Sequence, residues 1–199
     1  VSGQKTGLFL DQREHRIRMA GHCVDRTLIN LFAYNGGFSV HAAAAGAKRV
    51  TSVDIAGAAL EDARENFRLN GLDPSAHAFI KADVFKWNPD APADAVICDP
   101  PSLTHDKGAD SNARRVYRDL AVRSSAMVRP GGLLASASCT ARLSWERWEQ
   151  TVREGLSKTG RWSWLWRAAE PPDHPVALGH PEGRYLKFAL LRRHPSRYD

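Results

Sequence analysis

The sequence predicts an α/β domain: a parallel sheet with helices on both faces. Three observations predict it. Strand-like and helix-like segments alternate almost from end to end of the 199 residues. The strand-like runs are nearly continuously apolar, as strands covered on both faces must be. Polar, turn-forming residues follow one strand after another, and in such sheets ligands bind beyond the carboxyl ends of the strands.

The first strand-like run, residues 27–32 (TLINLF), ends at Asn35-Gly36-Gly37. An alanine-rich helix over residues 38–45 follows, stopped by Gly46. Residues 49–53 (RVTSV) form the second strand, ending on Asp54. The helix over residues 56–70 sets Leu60, Ala63 and Phe67 on one face and closes with Asn70-Gly71. The third strand, residues 78–81, ends before Asp83, and the fourth, residues 93–98 (ADAVIC), on Asp99-Pro100-Pro101. A polar loop over residues 102–112 leads to a helix over residues 113–127, closed by Pro130-Gly131-Gly132. The fifth strand, residues 133–138, ends at Cys139, and a helix over residues 144–156 comes next. Strands near residues 162–166 and 185–191 flank a proline-rich loop over residues 171–183. No repeat or linker interrupts this order, so one domain spanning residues 1–199 is expected.

Composition narrows the function classes. With 43% hydrophobic and 25% charged residues, the chain reads as a soluble globular domain large enough to bury a core. No run is apolar enough to cross a bilayer, so no membrane partner is expected. The three cysteines, Cys23, Cys98 and Cys139, lie far apart. That spacing argues against a disulfide framework and a zinc site, and points to the reducing cytoplasm with no metal. A net charge of +6 suits an anionic partner such as RNA, and equally suits solubility alone.

The glycine-bearing loop after the first strand is either a plain strand-to-helix turn or a place where backbone approaches a ligand. Asp54, ending the second strand, can accept both ribose hydroxyls of an adenosine. Those two features fit NAD and S-adenosylmethionine alike. Spacing separates them. A dinucleotide loop needs G-x-G-x-x-G to seat its pyrophosphate, and in Phe32-Ala33-Tyr34-Asn35-Gly36-Gly37-Phe38 the third glycine is absent. Asp83 is placed for an adenine amino group, and Asp99-Pro100-Pro101 sets a rigid carboxylate near a reacting centre, which hydride transfer does not need. S-adenosylmethionine is the expected cofactor.

Longer stretches carry a resemblance. Gln4-Lys5-Thr6-Gly7-Leu8-Phe9-Leu10-Asp11-Gln12-Arg13 resembles the KTGFFLDQR signature of bacterial ribosomal large-subunit RNA 5-methylcytosine methyltransferases. Residues 30–39 (NLFAYNGGFS) are similar to that family's cofactor loop. Ser52-Val53-Asp54 with Ala59-Leu60 and Asn66, then Asp83-Val84-Phe85, Asp99-Pro100-Pro101, Ser138-Cys139, Asp173-His174-Pro175 and Tyr185-Leu186-Lys187, follow in family order. The resemblance spans nearly the whole chain. It implies a Rossmann-like class I methyltransferase fold, α/β with a mostly parallel seven-stranded sheet, helices on both faces and an antiparallel last strand. Members often carry an N-terminal RNA-binding PUA domain that is not in this sequence, so the chain is expected to be the C-terminal part of a longer one.

The resemblance also distributes roles. Cofactor-binding residues would be Phe32, Tyr34, Asn35, Gly36, Gly37, Asp54, Ile55, Asp83, Val84, Asp99 and Pro100. Pro101, Lys5, Arg13 and His174 would meet the RNA, although Lys5 and Arg13 equally suit a solvated helix face and His174 a rigid surface turn. Pyrimidine C5 is a poor nucleophile, and adding a thiolate to C6 makes it enamine-like. Cys139 is the candidate nucleophile and Asp99 the group that orients the base; a small buried hydrophobe is the plain alternative for Cys139. Cys98 and Cys23 are expected to be structural. Methylation of an exocyclic amine favours an aromatic after the two prolines, where this chain has Ser102. A small-molecule acceptor and a non-catalytic binding module stay open. Arg114-Arg115 could meet phosphates or form a solvated helix face, and the late tryptophans read as packing.

Overall fold

The computed structural model describes residues 8–103 and 109–196. Its strands are β1 (Thr27–Leu31), β2 (Arg49–Asp54), β3 (Ala78–Lys81), β4 (Ala93–Cys98), β5 (Val128–Ser138), β6 (Trp162–Ala168) and β7 (Lys187–Arg193). The helices are α1 (Arg13–Ala20), α2 (Gly37–Ala44), α3 (Gly57–Leu69), α4 (Ala109–Ala126) and α5 (Trp145–Leu156). The seven strands make one sheet in the order β3-β2-β1-β4-β5-β7-β6, and β7 is antiparallel to both of its neighbours. This is the expected architecture, a mostly parallel Rossmann-like sheet with an antiparallel last strand.

The chain separates into two compact units, residues 1–88 and 89–199. In the first, β1, β2 and β3 pair in parallel. Leu28, Leu31, Val50 and Val53 are buried from these strands, and Ala63 and Phe67 from the apolar face of α3. Asn30 interrupts the apolar run of β1 yet is fully buried. Its amide donates to Ser39 Oγ (2.9 Å), which in turn meets Ser52 Oγ at 2.8 Å. One chain of buried polar groups thus ties β1, α2 and β2 together, each group satisfied as burial demands. The helix α1, packed on α2, lacks an apolar stripe and was not legible in the sequence.

In the second unit β4 and β5 run parallel, and β7 pairs antiparallel between β5 and β6. Val96, Ile97, Leu134, Leu190, Phe188 and Trp148 form its core. Trp166 stacks on Phe188 (5.1 Å, 15°) and Trp145 meets Trp148 edge-on (5.6 Å), so these tryptophans pack as expected. Pro130-Gly131-Gly132 does not close a helix: it lies inside β5. Ala93 pairs with Val128 and Ala95 with Leu133, so residues 129–132 bulge out of the ladder. Gly131 has φ +78°, and a Cβ on Gly132 would stand 2.8 Å from the Asp94 carbonyl oxygen. Such a bulge needs glycine for the same steric reason that a helix end does, which is why the pattern was ambiguous. The helix α4 also begins at Ala109, inside the stretch expected to be loop.

Candidate active site

The loop after β1 has an unusual backbone. Phe32 (φ 57°), Tyr34 (φ 49°) and Gly36 (φ 80°) all occupy the left-handed region, which is rare and costly for bulky residues. Hydrogen bonds to its neighbours hold it there. Ala33 N donates to the Val53 carbonyl (3.0 Å) and Gly36 N to the Ala33 carbonyl (2.8 Å). Tyr34 N donates to Asp54 Oδ2 (2.8 Å), and the other carboxylate oxygen, Oδ1, accepts from Ala56 N (2.9 Å). Asp54 therefore joins the turns that follow β1 and β2. Asn66 on α3 donates through Nδ2 to the Asn35 carbonyl (2.9 Å).

Gly36 is needed for space as well as for conformation, whereas Gly37, the first residue of α2, is constrained by space alone. A Cβ on Gly36 would fall 2.9 Å from Ala63 Cβ, and one on Gly37 would fall 2.8 Å from Arg16 Nε. Close packing by α3 and α1 accounts for both positions. Around the loop, Phe9 meets the Tyr34 ring at 5.5 Å and Phe85 meets Phe32 at 6.1 Å. Asp83 Oδ1 accepts from Phe85 N (2.9 Å), fixing the turn after β3, with Val84 buried behind it. Ile55 is 68% exposed and Phe85 44%, an open apolar surface next to Asp54 and Asp83 in sequence.

In the second unit, Asp99 is half-buried, Pro100 buried and Pro101 exposed. Cys139, half-buried, lies just past the end of β5 with Sγ 4.0 Å from the Pro100 carbonyl oxygen. The strand ends β4 and β5 thus bring the Asp-Pro-Pro turn and the thiol together. Thr140, fully buried, anchors the turn. Its Oγ1 meets Tyr117 OH (2.9 Å) and accepts from Leu103 N (3.2 Å), while its own N–H donates to Ser138 Oγ (3.2 Å). Lys187, 3% exposed, donates from Nζ to the carbonyls of Thr140 (2.9 Å), Leu143 (2.8 Å) and Tyr185 (2.8 Å). Burial pushes the Tyr117 hydroxyl well up from its ordinary range and the Lys187 ammonium down to about 8. Cys23 and Cys98 are buried thiols, each pushed up to about 12, which leaves them inert.

The other candidates are dispersed. Lys5 lies outside the described residues. Arg13 starts α1 and pairs with Glu14 (2.7 Å), half in solvent. His174 Nε2 meets Tyr185 OH at 3.1 Å, so the Asp173-His174-Pro175 turn rests on the residues just before β7. Arg114 and Arg118 reach across to Glu154 on α5 (3.6 and 2.8 Å), and Arg115 pairs with Asp119 (3.7 Å). Tyr117, Thr140 and Arg16 carried no sequence signal, because no short motif contains them. Lys187 stood inside a quoted motif without a role.

Residues 2–182 match the S-adenosylmethionine-dependent methyltransferase family. The chain belongs to that family. S-adenosylmethionine is accordingly its cofactor. The chain is 42% identical over 196 residues to a ribosomal RNA large subunit methyltransferase of Deinococcus radiodurans, covering 96% of this chain and 48% of that one. It is 38% identical to ribosomal RNA large subunit methyltransferase I of Pseudoalteromonas atlantica, covering 96% and 50%. It thus spans about half the length of the curated relatives it matches. Among solved structures, an S-adenosylmethionine-dependent methyltransferase of Streptococcus mutans superposes with a TM-score of 0.85 at 28% identity, over 96% of this chain and 51% of that one. A methyltransferase solved with S-adenosylhomocysteine gives 0.83 at 29% identity, over 94% and 50%. Among the described residues no group of His, Cys, Asp and Glu could hold a metal, and no helix is long and apolar enough to cross a membrane.

Proposed function

We propose that this methyltransferase forms 5-methylcytosine in ribosomal RNA, with Cys139 as the nucleophile, and that residues 1–199 act as one catalytic domain in the cytoplasm. The observation that carries the reading is the contrast among the three cysteines. Cys23 and Cys98 are sealed in the interior, whereas Cys139 is half-exposed at a strand end, on a turn held from several sides. A cysteine serving as a small core residue needs no such placement. The relatives named as ribosomal RNA methyltransferases support RNA as the acceptor, and the charge of +6 agrees with an anionic partner.

The residues of the first unit fit the cofactor. After accepting two backbone N–H groups, the Asp54 carboxylate keeps lone pairs for ribose hydroxyls. Ile55 and Phe85 offer apolar faces for an adenine ring, and Asp83 an acceptor for its amino group. When bound, S-adenosylmethionine supplies a methyl group activated by its sulfonium. The second unit acts on the acceptor. The Cys139 thiolate adds to cytosine C6, and the electron pair of the C5–C6 double bond makes C5 nucleophilic toward the methyl group. The C5 proton then leaves to a base, the double bond re-forms, and the thiolate is expelled. Asp99 holds the ring while this happens, beside Pro100 and Pro101, and Arg13, His174 and Lys5 are the proposed RNA contacts.

The test is nucleoside mass spectrometry of ribosomal RNA incubated with the protein and isotopically labelled S-adenosylmethionine. The expected product is 5-methylcytidine. A label on an exocyclic nitrogen, or on another base, overturns the C5 reading and leaves the cofactor assignment standing.

A further inference from the structure

The buried ammonium of Lys187 is the feature the reaction above does not use. In the antiparallel pairing of β5 with β7, Ser138 stands opposite Lys187, so Cys139 is one residue beyond the lysine on the neighbouring strand. A lysine at 3% exposure is an expensive group to bury. Here its three N–H donors meet three carbonyls, two of them, Thr140 and Leu143, on the turn that carries Cys139. The lysine therefore closes that turn onto β7.

We propose, on the reading that Cys139 is the nucleophile, that Lys187 is its positioning residue: it ties the thiol-bearing turn to β7 and keeps a cation beside the sulfur that favours the thiolate. The thiol proton passes to solvent; Lys187 keeps its own proton and transfers none. The charged groups that act on the ammonium are Glu170, whose carboxylate accepts from Leu186 N at 2.6 Å, and Cys139; Asp99 and Tyr117 lie near Cys139. Burial lowers the Lys187 ammonium to about 8, and the charges of Glu170 and Cys139 act against that lowering. The ammonium therefore lies within reach of a charge on Cys139.

The experiment is alkylation of Cys139 by iodoacetamide across pH, read by peptide mass spectrometry, in the wild-type protein and in Lys187→Met and Lys187→Arg. Cys23 and Cys98 serve as unreactive internal controls. Lys187→Met is expected to move the midpoint of the rate curve upward and to slow alkylation at pH 7 by about tenfold, with cofactor affinity unchanged. Lys187→Arg is expected to keep the wild-type midpoint. A wild-type curve in Lys187→Met overturns the proposal. A second measurement needs no variant. The ammonium of Lys187 is titrated by NMR before and after Cys139 is capped with iodoacetamide, and its midpoint must fall once the sulfur can no longer carry charge. An unmoved midpoint likewise overturns the proposal. Coupled alkylation alongside full methyl transfer in Cys139→Ala overturns the proposed function and not the pairing. Activity lost in Cys139→Ala with alkylation indifferent to Lys187 overturns the pairing alone.

Discussion

After β1 the loop is gripped at its main chain, by the Val53 carbonyl and by the Asp54 and Asn66 side chains. Phe32, Tyr34 and Gly36 take left-handed conformations within five residues, pinned by Asp54 and by the Val53 carbonyl. After β5 the turn at residues 139–143 is held by side chains that arrive from far along the chain: Tyr117 from α4 and Lys187 from β7. A loop of the first kind stores strain and fixes a backbone surface, which suits the binding of a cofactor along it. The second kind fixes a single side chain inside a polar network, which suits a nucleophile that must stay reactive in one position.

The comparison can be broken at either end, and the largest stability effect belongs to the first loop. Gly36→Val asks a β-branched residue to take φ +80° and to place its Cβ 2.9 Å from Ala63 Cβ. A loss of about 2–4 kcal/mol is expected in denaturant unfolding, along with cofactor binding. Gly37→Ala should be milder, because the flexible Arg16 side chain, not backbone, stands in the way. Asp54→Asn comes next. Its shape is kept but its charge is lost, and calorimetry should show cofactor affinity reduced by about ten- to a hundredfold. The smallest effect is expected at Tyr117→Phe. It removes the bond to Thr140 Oγ1, which still accepts from Leu103 N, so stability should fall by about 1 kcal/mol. Cofactor affinity should stay unchanged while methyl transfer slows. Reduced cofactor affinity in Tyr117→Phe would mean that the two turns do not divide the work as described.

The same contrast explains what was legible in the sequence. The strands, the helix over residues 57–69 and the first loop were readable because each is written in adjacent residues: apolar runs, a helical stripe, glycines, and an acid at a strand end. The position of Asp99 and Cys139 just past the ends of β4 and β5 was readable in the same way. Thr140 and Tyr117 were not, because their roles come from pairings 23 and 37 residues apart that only the folded chain creates. The helix α1 was missed since its buried face holds His15, Arg16, Met19 and Ala20, a mixture without apolar periodicity. Pro130-Gly131-Gly132 was misread because a bulge and a helix stop make the same demand on the backbone.

The central claim is that Cys139 bonds covalently to the cytosine. RNA carrying 5-fluorocytidine tests it most directly: fluorine at C5 leaves no proton to lose, so the thiolate cannot be expelled once the methyl group has been transferred. With S-adenosylmethionine present, a denaturing gel should show protein linked to RNA, with the crosslink mapping to Cys139 and absent in Cys139→Ala. A linked species that persists in Cys139→Ala, or methyl transfer to natural RNA with no linked species in the wild type, would contradict the account.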